Sequence, residues 1–541
     1  MANVTLSRKE FEKHFKLDEK TLEAINLFGT SASLSPENLE IEIFPNRPDL
    51  LSLQGFVRAM KAYFGKSPGL PTYSVKSPNQ KLIVEKSTPI EWSYALAFLV
   101  HGLTLNNEKI KELIDIQEKL GTTLLRKRKK GGIGLYPLEK IQFPITFKGM
   151  KPEEIKFRPL EFPNAITGRQ ILSMHPTGRE YADICASWEK FPVFTDKTGA
   201  IMSMPPIINS HELGKITETT KDIFVEATGT DLQILKHAVA ILATTLADMG
   251  GKITAIECVQ SNGERIISPS LSPQTHKVSL EKMNALLGTQ IKEKEAQNLL
   301  ARMGHTYEKG KVKSPAWRID LLHEVDIAED LAIAYGYQSL IPELPAIATI
   351  ASSDPEDEAR SKIADLLVGL NLTEISTYHL IKESELSKDE EKIEVENSKT
   401  EYKCLRTSLI QPMLRTFTDN KGNEYPQKMF EIGTVFARDS KKESGISETQ
   451  TLCIACSPAN VTEMKQILNY LCSALGLTAS LKETQKKGFI EGRTGAIHIQ
   501  GKDIGFIGEL HPETLRDWNL KMPLTLLEIN LDSLLKEKLI S

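Results

Sequence analysis

In 39-LEIEIFPNRPDLLSLQGFVRAMKAYFG-65 an apolar strand runs into a turn bracketed by Pro45 and Pro48, and the apolar period then lengthens. Leu53, Val57, Met60 and Phe64 recur at i, i+4, i+7 and i+11, one stripe of a helix that Gly65 stops. The same periodicity predicts helices over 279-SLEKMNALLG-288 and 293-EKEAQNLLARMG-304, each ended by glycine, and an acid-entered helix from 354-DPEDEARSKIADLLVGLNL-372. A longer helix over 231–250 sets Leu232, Leu235, Val239, Leu242 and Leu246 on one apolar face. Strands are predicted at 222-DIFVEATG-229 and 311-KVKSPAWRID-320. Beyond 373 they crowd together: 374-EISTYHLI-381, 428-KMFEIGTVF-436, 451-TLCIACS-457, 495-GAIHIQG-501 and 503-DIGFIGEL-510. Many strands with few helices predict a largely antiparallel sheet with flanking helices.

These blocks divide a chain of 541 residues, too long for one core, into a multidomain α+β protein. A strand-turn-helix domain is expected over 1–90, a second domain over 91–265, a small helical module over 270–346 that leans on its neighbours, and a sheet domain over 350–541. A net charge of −4 leaves nucleic-acid contact to local basic patches. No run of 18 apolar residues predicts a membrane helix, and MANVTLSRKEFEKHF lacks the apolar core of a signal peptide, so the expected location is cytoplasmic. Six scattered cysteines suit a reducing compartment. Cys453 and Cys456 lie three apart on one predicted strand, which points them to opposite faces and excludes a shared metal.

Several charged stretches invite a chemical reading. In the turn, Asp49 is placed to cap the following helix, while Arg47, held on a rigid turn, calls for a carboxylate or phosphate. The run 126-RKRKK-130 reads as a solvated tip, with contact to a polyanion as the alternative. The following 129-KKGGIGLY-136 is a glycine-rich turn into a strand, not a dinucleotide fingerprint, because no helix signal follows. His211 and Glu212 are adjacent loop residues, and nothing near them has the spacing of a catalytic triad. In 318-RIDLLHEVDIAEDLAIAYGY-337 a helix is expected from about Leu321 to Tyr335, capped by Asp320. Asp326, Glu329 and Asp330 then fall within roughly 100° of arc, opposite Ile327, Ala328, Leu331 and Tyr335. Bunched carboxylates repel unless a cation offsets them; oxygen ligands without His or Cys suit Mg²⁺, and an Arg or Lys from a partner subunit is the alternative.

Six stretches, in order, carry a family resemblance: 45-PNRPDLLSLQG-55, 204-MPPIINS-210 with 227-ATGTD-231, 318–337, 405-LRTSLIQPML-414, 427-QKMFEIGTVF-436 and 508-GELHPE-513. From end to end the chain resembles the β subunit of phenylalanyl-tRNA synthetase, in the short form of archaeal and eukaryotic cytosolic enzymes. The resemblance implies an (αβ)2 heterotetramer that makes phenylalanyl-tRNA from ATP, phenylalanine and tRNA-Phe, with the class II active site on the α subunit. It implies Mg²⁺ on Asp320, Asp326, Glu329 and Asp330 at the boundary with that subunit. It also implies an editing-type α/β module in 91–265 that hydrolyses tRNA-Phe mischarged with tyrosine. A phenylalanine pocket rejects an isostere that adds a hydroxyl by only ~10²-fold, so a second site is needed. Candidates for that site are 178-GREYADI-184, Asn209 and Glu226, with a core or turn role as the alternative for each. The module at 270–346 is then winged-helix-like, and the last domain is a catalytically silent class II-type fold. Its strand 427–436 has no arginine, and 505-GFIGELHPETLRDWN-519 offers Glu and His where arginine and glycine-rich backbone would grip ATP. No catalytic or nucleotide-binding residue is assigned, and the isolated chain is expected to be inactive in aminoacylation. The long bacterial form's oligonucleotide- and anticodon-binding domains are expected to be lacking. In that family the flanks of the glycine turn are acid-rich, and 126-RKRKK-130 with 136-YPLEKI-141 departs from the pattern. The rival reading is an RNA-associated multidomain scaffold without turnover. Neither a membrane nor DNA is an expected partner.

Overall fold

The computed structural model describes residues 2–347, 350–386 and 390–540, with side chains through Leu535; the outermost residues of the two terminal domain assignments, Met1 and Ser541, lie outside them. The chain forms two compact units, 1–344 and 345–541. The α+β multidomain expectation holds. Among the described residues no helix is long and apolar enough to cross a membrane.

The first unit opens with an antiparallel sheet whose central strand, Asn38–Ile43, buries Leu39, Ile41 and Ile43 on one face. The turn then enters the helix Leu53–Tyr63, capped by the Ser52 hydroxyl, which accepts the Gly55 N–H. Asp49 does not cap it, contrary to expectation. It takes two parallel hydrogen bonds from Arg47, at 2.9 Å each, as the rigid-turn argument for Arg47 requires. Only glycine fits at position 55, where a Cβ would lie 2.0 Å from the Asp49 carbonyl oxygen.

The main sheet of this unit comprises eleven strands among the described residues. Its path runs from Ile208–Asn209 and Ile201–Met204 at one end, through Lys252–Val259 and Tyr94–His101, to Ile223–Gly229 and Gly131–Pro137 at the other. Ile223–Gly229 is buried at every position, Glu226 and Thr228 included. Val75–Lys76 and Lys81–Val84 pair in parallel with Lys252–Val259. The domain boundary drawn at 90 therefore cuts through a sheet, and one hydrophobic core is continuous from Val4 to Met249. Strands of two and four residues in a polar stretch are too short to display a period. The helix Leu232–Asp248 backs the sheet and buries residues from Leu235 to Leu246 nearly all round.

The small module joins three strands, Gln274–Lys277, Lys311–Ser314 and Thr306–Glu308, to the helices Leu280–Leu287, Glu293–Arg302 and Glu324–Tyr335. It leans on its neighbour as expected: Arg302 donates to the Tyr63 carbonyl at 2.9 Å. In the second unit a seven-stranded sheet is antiparallel except where Thr373–Glu374 joins its edge. The helices Pro355–Gly369 and Val461–Ala474 cover one face and Ile410–Asp419 the other. Cys453 packs in one of these cores and Cys456 in the opposite one, as the strand alternation predicts.

Arg406, 1% exposed, threads between strands: its Nη1 lies 2.7 Å from Glu431 Oε1 and its Nε donates to the Thr434 carbonyl at 2.8 Å. Removing one partner of such a pair strands the other as a buried charge. Arg406→Met is expected to lower unfolding stability by about 3–5 kcal/mol in urea titrations, and Arg406→Met with Glu431→Leu to recover most of it. Equal stability of the single and double variants would show that the pair is not what matters there.

Candidate functional site

The ends of the main sheet meet across a cavity of about 300 Å³, lined by Gly132, Ile133, Leu160, Pro205, Pro206, Ile207, Asn209 and Glu226 among others. Tyr136, on the strand at one end, ties them together. Its Oη lies 2.7 Å from Ser203 Oγ and 3.3 Å from Asn209 Oδ1, both on strands at the other end. It also lies 3.2 Å from Glu226 Oε1. The glycines of 131-GGIG-134 permit this closeness. A Cβ on Gly134 would lie 2.2 Å from Glu226 Oε1, and one on Gly132 would lie 3.1 Å from Pro206 Cβ. The glycine-rich turn thus makes room for side chains rather than for a nucleotide.

Glu226 is 2% exposed, and its Oε2 has no hydrogen-bond partner. Burial pushes its pKa up to about 8, against a smaller lowering by the Tyr136 hydrogen bond. At neutral pH the carboxyl is mostly a neutral acid. The Tyr136 hydroxyl donates to Glu226 Oε1, the Ser203 hydroxyl can supply a further proton to the group, and Glu226 Oε2 is the atom left without a partner. Burial, reinforced by Glu226, holds the Tyr136 pKa well above the ordinary phenol value, so it too stays neutral. The cavity therefore has a mixed lining, apolar side chains together with Glu118, Arg128, Glu161 and Lys215, with the buried carboxyl of Glu226 in its wall. No catalytic triad is assembled: Ser203 Oγ is bonded to Tyr136, and His211 Nδ1 accepts the Glu161 N–H.

Of the candidates in 178–184, Tyr181 lies outside the cavity lining, and its ring carries the Arg128 guanidinium at 4.4 Å. Arg128 also donates to the Pro206 and Ile207 carbonyls, each at 3.1 Å, and to Glu118 at 2.7 Å. The basic run is thus not wholly solvated. Arg126, Lys127 and Arg128 all adopt left-handed backbone, with φ of 50°, 53° and 60°. Each such non-glycine residue costs ~1–2 kcal/mol.

The acidic helix begins at Glu324 and not at Leu321. His323 is its cap, and Asp326 Oδ2 accepts the backbone N–H groups of Leu322 and His323, each at 2.7 Å. Asp320 does not cap the helix. It receives Arg318 through two bonds, at 2.9 and 2.8 Å. The same guanidinium, 3% exposed, lies 2.8 Å from Asp330 Oδ2, which His305 Nε2 approaches at 2.7 Å. Burial alone would raise the Asp330 pKa, but Arg318 and then His305 hold it far below the carboxylate range. Burial keeps His305 neutral, so its Nε2–H donates to Asp330. Glu329 is exposed.

Of the four carboxylates expected to hold Mg²⁺, two therefore surround an arginine of the same chain. Among the described residues, no group of three or more His, Cys, Asp or Glu is placed to hold a metal ion. Asp326 Oδ1 and Glu329, one turn apart, remain uncommitted, and two carboxylates suit an ion that keeps most of its water.

Residues 276–337 match the tRNA synthetase B5 domain, and residues 341–531 match the phenylalanyl tRNA synthetase beta chain CLM domain. These place the chain in the class of tRNA synthetase subunits. The phenylalanine–tRNA ligase beta subunit of Pyrococcus abyssi is 35% identical over 496 residues, covering 90% of this chain and 89% of its own length. That of Archaeoglobus fulgidus is 34% identical over 548 residues and 98% of each chain. The crystal structure of an N-terminal fragment of the phenylalanyl-tRNA synthetase beta-subunit from Pyrococcus horikoshii matches with a TM-score of 0.59 and 31% identity, covering 62% of this chain and 99% of the fragment. The chain belongs to the phenylalanine–tRNA ligase beta subunit family.

Glu226 titrates near pH 8 when folded and near its ordinary value of 4.5 when unfolded, so the folded state holds the extra proton between these values. Its stabilising contribution is complete below the lower value and is lost as pH rises through the upper one. Glu226→Gln removes that dependence. Its melting temperature is expected to gain on the wild type as pH rises from about 5 to about 8.5, by the equivalent of a few kcal/mol. A constant difference across that range would place the Glu226 pKa near its ordinary value.

Proposed function

We propose that the chain is the β subunit of a cytoplasmic (αβ)2 phenylalanine–tRNA ligase, forming phenylalanyl-tRNA from ATP, L-phenylalanine and tRNA-Phe, with adenylation on the α subunit. Its second unit reads as a catalytically silent class II-type domain and its small module as winged-helix-like. Arg406 supports the silent reading, because it is buried against Glu431 and unavailable to a triphosphate. Arg438, at the end of the strand Gln427–Arg438 that carries Glu431, pairs with Glu391.

The chain's own chemistry is the removal of tyrosine from mischarged tRNA-Phe. The observation that carries this reading is the buried, neutral Glu226 with an unpartnered oxygen in the wall of a cavity that also presents apolar side chains such as Ile133, Leu160 and Ile207. A tyrosyl ring that fills the cavity brings its hydroxyl to Glu226. A phenylalanyl ring fills the same cavity but leaves that polar group buried and unpaired. A site built around a hydroxyl discriminates against the analogue lacking it far better than an apolar pocket does in reverse. Tyr136 and Asn209 position the acid. Among the described residues no side chain is placed as a nucleophile, so the ester is left to water. The scaffold reading lacks any use for such a cavity.

Mg²⁺ belongs on the acidic helix, facing the α subunit. Asp326 and Glu329 would be its direct ligands, with Asp320 and Asp330 behind them fixing the helix through Arg318. The ion would supply a positive charge at the subunit boundary.

With the assembled enzyme, Glu226→Ala is expected to lower kcat/KM for hydrolysis of Tyr-tRNA-Phe by about 10²-fold and to leave phenylalanine charging intact. Undiminished hydrolysis would move the editing site elsewhere. Separately, Asp326→Asn with Glu329→Gln is expected to remove the Mg²⁺ dependence of heterotetramer assembly, followed by sedimentation across a Mg²⁺ titration. An identical dependence in variant and wild type would remove the metal from this helix.

A further inference from the structure

Four cations of 126-RKRKK-130 have no assigned work. Arg128 is pinned, but Arg126, Lys127, Lys129 and Lys130 have neither an ion pair nor an aromatic contact among the described residues. Arg126, Lys127 and Lys129 are exposed. In a chain of net charge −4 such a cluster stands against the overall field.

Its position follows from the residues on either side. Glu118 and Gly121 before the loop, Arg128 within it, and Gly132 and Ile133 after it all line the cavity. A segment whose two flanks form the wall of a cavity places its tip at the margin of that cavity. The loop is also held hard. The Lys127 and Arg128 N–H groups donate to Thr122 and Gly121, and the Lys130 carbonyl accepts the Thr230 N–H at 3.1 Å. Three successive left-handed residues persist only where the surroundings over-determine them, and here the constraint fixes a pair of unpaired cations in space.

We propose that Arg126, Lys127 and Lys129 bind the phosphodiester backbone of the single-stranded RNA 3′ end whose terminal aminoacyl ester enters the cavity. This rests on the editing reading of that cavity. The cations read no base; they draw the strand to the cavity margin and hold its end at a fixed distance from Glu226. The interaction is electrostatic, so it weakens steeply with salt. Lys130, half-buried at the start of the cavity strand, is left out of the group.

The test uses the assembled αβ enzyme and Tyr-tRNA-Phe across a salt series. The exposed triple variant Arg126→Gln, Lys127→Gln, Lys129→Gln is expected to raise KM on the order of ten-fold at low salt, with kcat retained. The slope of log KM against log salt is expected to fall by roughly 0.7 for each phosphate that the variant leaves un-neutralised. The charge-keeping variant Arg126→Lys, Lys127→Arg, Lys129→Arg is expected to keep both KM and slope, which separates charge from loop shape. Unchanged KM and slope in the neutral variant, or an equal loss in the charge-keeping one, would overturn the proposal. Failure of the wild-type enzyme to hydrolyse Tyr-tRNA-Phe would overturn the editing reading and this inference with it, and would be seen before any substitution is made.

Discussion

One guanidinium, buried between two carboxylates, fixes the geometry of the first unit. Arg318 holds Asp320 on its own strand exit and Asp330 in the middle of the acidic helix, with His305 closing the other side of Asp330. Asp49 of the proline turn lies within the field of the same guanidinium, and Arg47 adds to the field that acts on Asp330. A second arginine continues the line. Arg58 stacks over Trp317 at 4.3 Å, meets Asp248 at 2.6 Å and donates to the Tyr73 hydroxyl at 3.1 Å. Asp248 ends the helix Leu232–Asp248, which backs the strand that carries Glu226. A line of packed elements thus runs from the acidic helix to the cavity. Buried ion pairs add little net stability because desolvation offsets attraction. Their consequence is geometric: bidentate arginines fix angles as well as distances, and lysine cannot replace them.

That network was partly legible in the sequence. 47-RPD-49 and 318-RID-320 share an Arg-x-Asp spacing, and in both the guanidinium folds back onto the aspartate two residues later with two bonds. The turn argument found the need of Arg47 for a carboxylate. The bunched acids likewise called for a cation, and for Asp330 one stands in the same chain, two residues before Asp320. The cap was misassigned for a related reason. An aspartate before a helix is the routine choice, and a histidine cap with a returning Asp326 is not.

The cavity was less legible. Glu226 and Asn209 were candidates only through family resemblance, since neither has a local signal. Tyr136 was missed because its partners Ser203 and Glu226 lie 67 and 90 residues away, and only the meeting of the sheet ends brings them together. The glycines beside it were a signal of a kind. A strand with small residues at 131, 132 and 134 gives up packing, and such a loss marks a close approach of other groups. The strands Val75–Lys76 and Lys81–Val84, which join residues on both sides of 90 in one sheet, are too short to carry a pattern.

Two buried charges, Arg406 and Glu226, are handled in opposite ways. In the second unit the Arg406 guanidinium is drawn into the sheet and neutralised by Glu431, beside a glycine whose Cβ would lie 2.4 Å from Arg406 Nη2. A cation satisfied inside the fold has no field left for an anion, so that arginine is structural. In the first, Glu226 is buried without a cation, and burial discharges it by protonation instead of pairing. A paired charge is inert, but a neutral acid keeps a free oxygen and a proton that it can share. The difference between an arginine that braces a sheet and a carboxyl left with an unpartnered oxygen is whether the fold supplies the counter-charge.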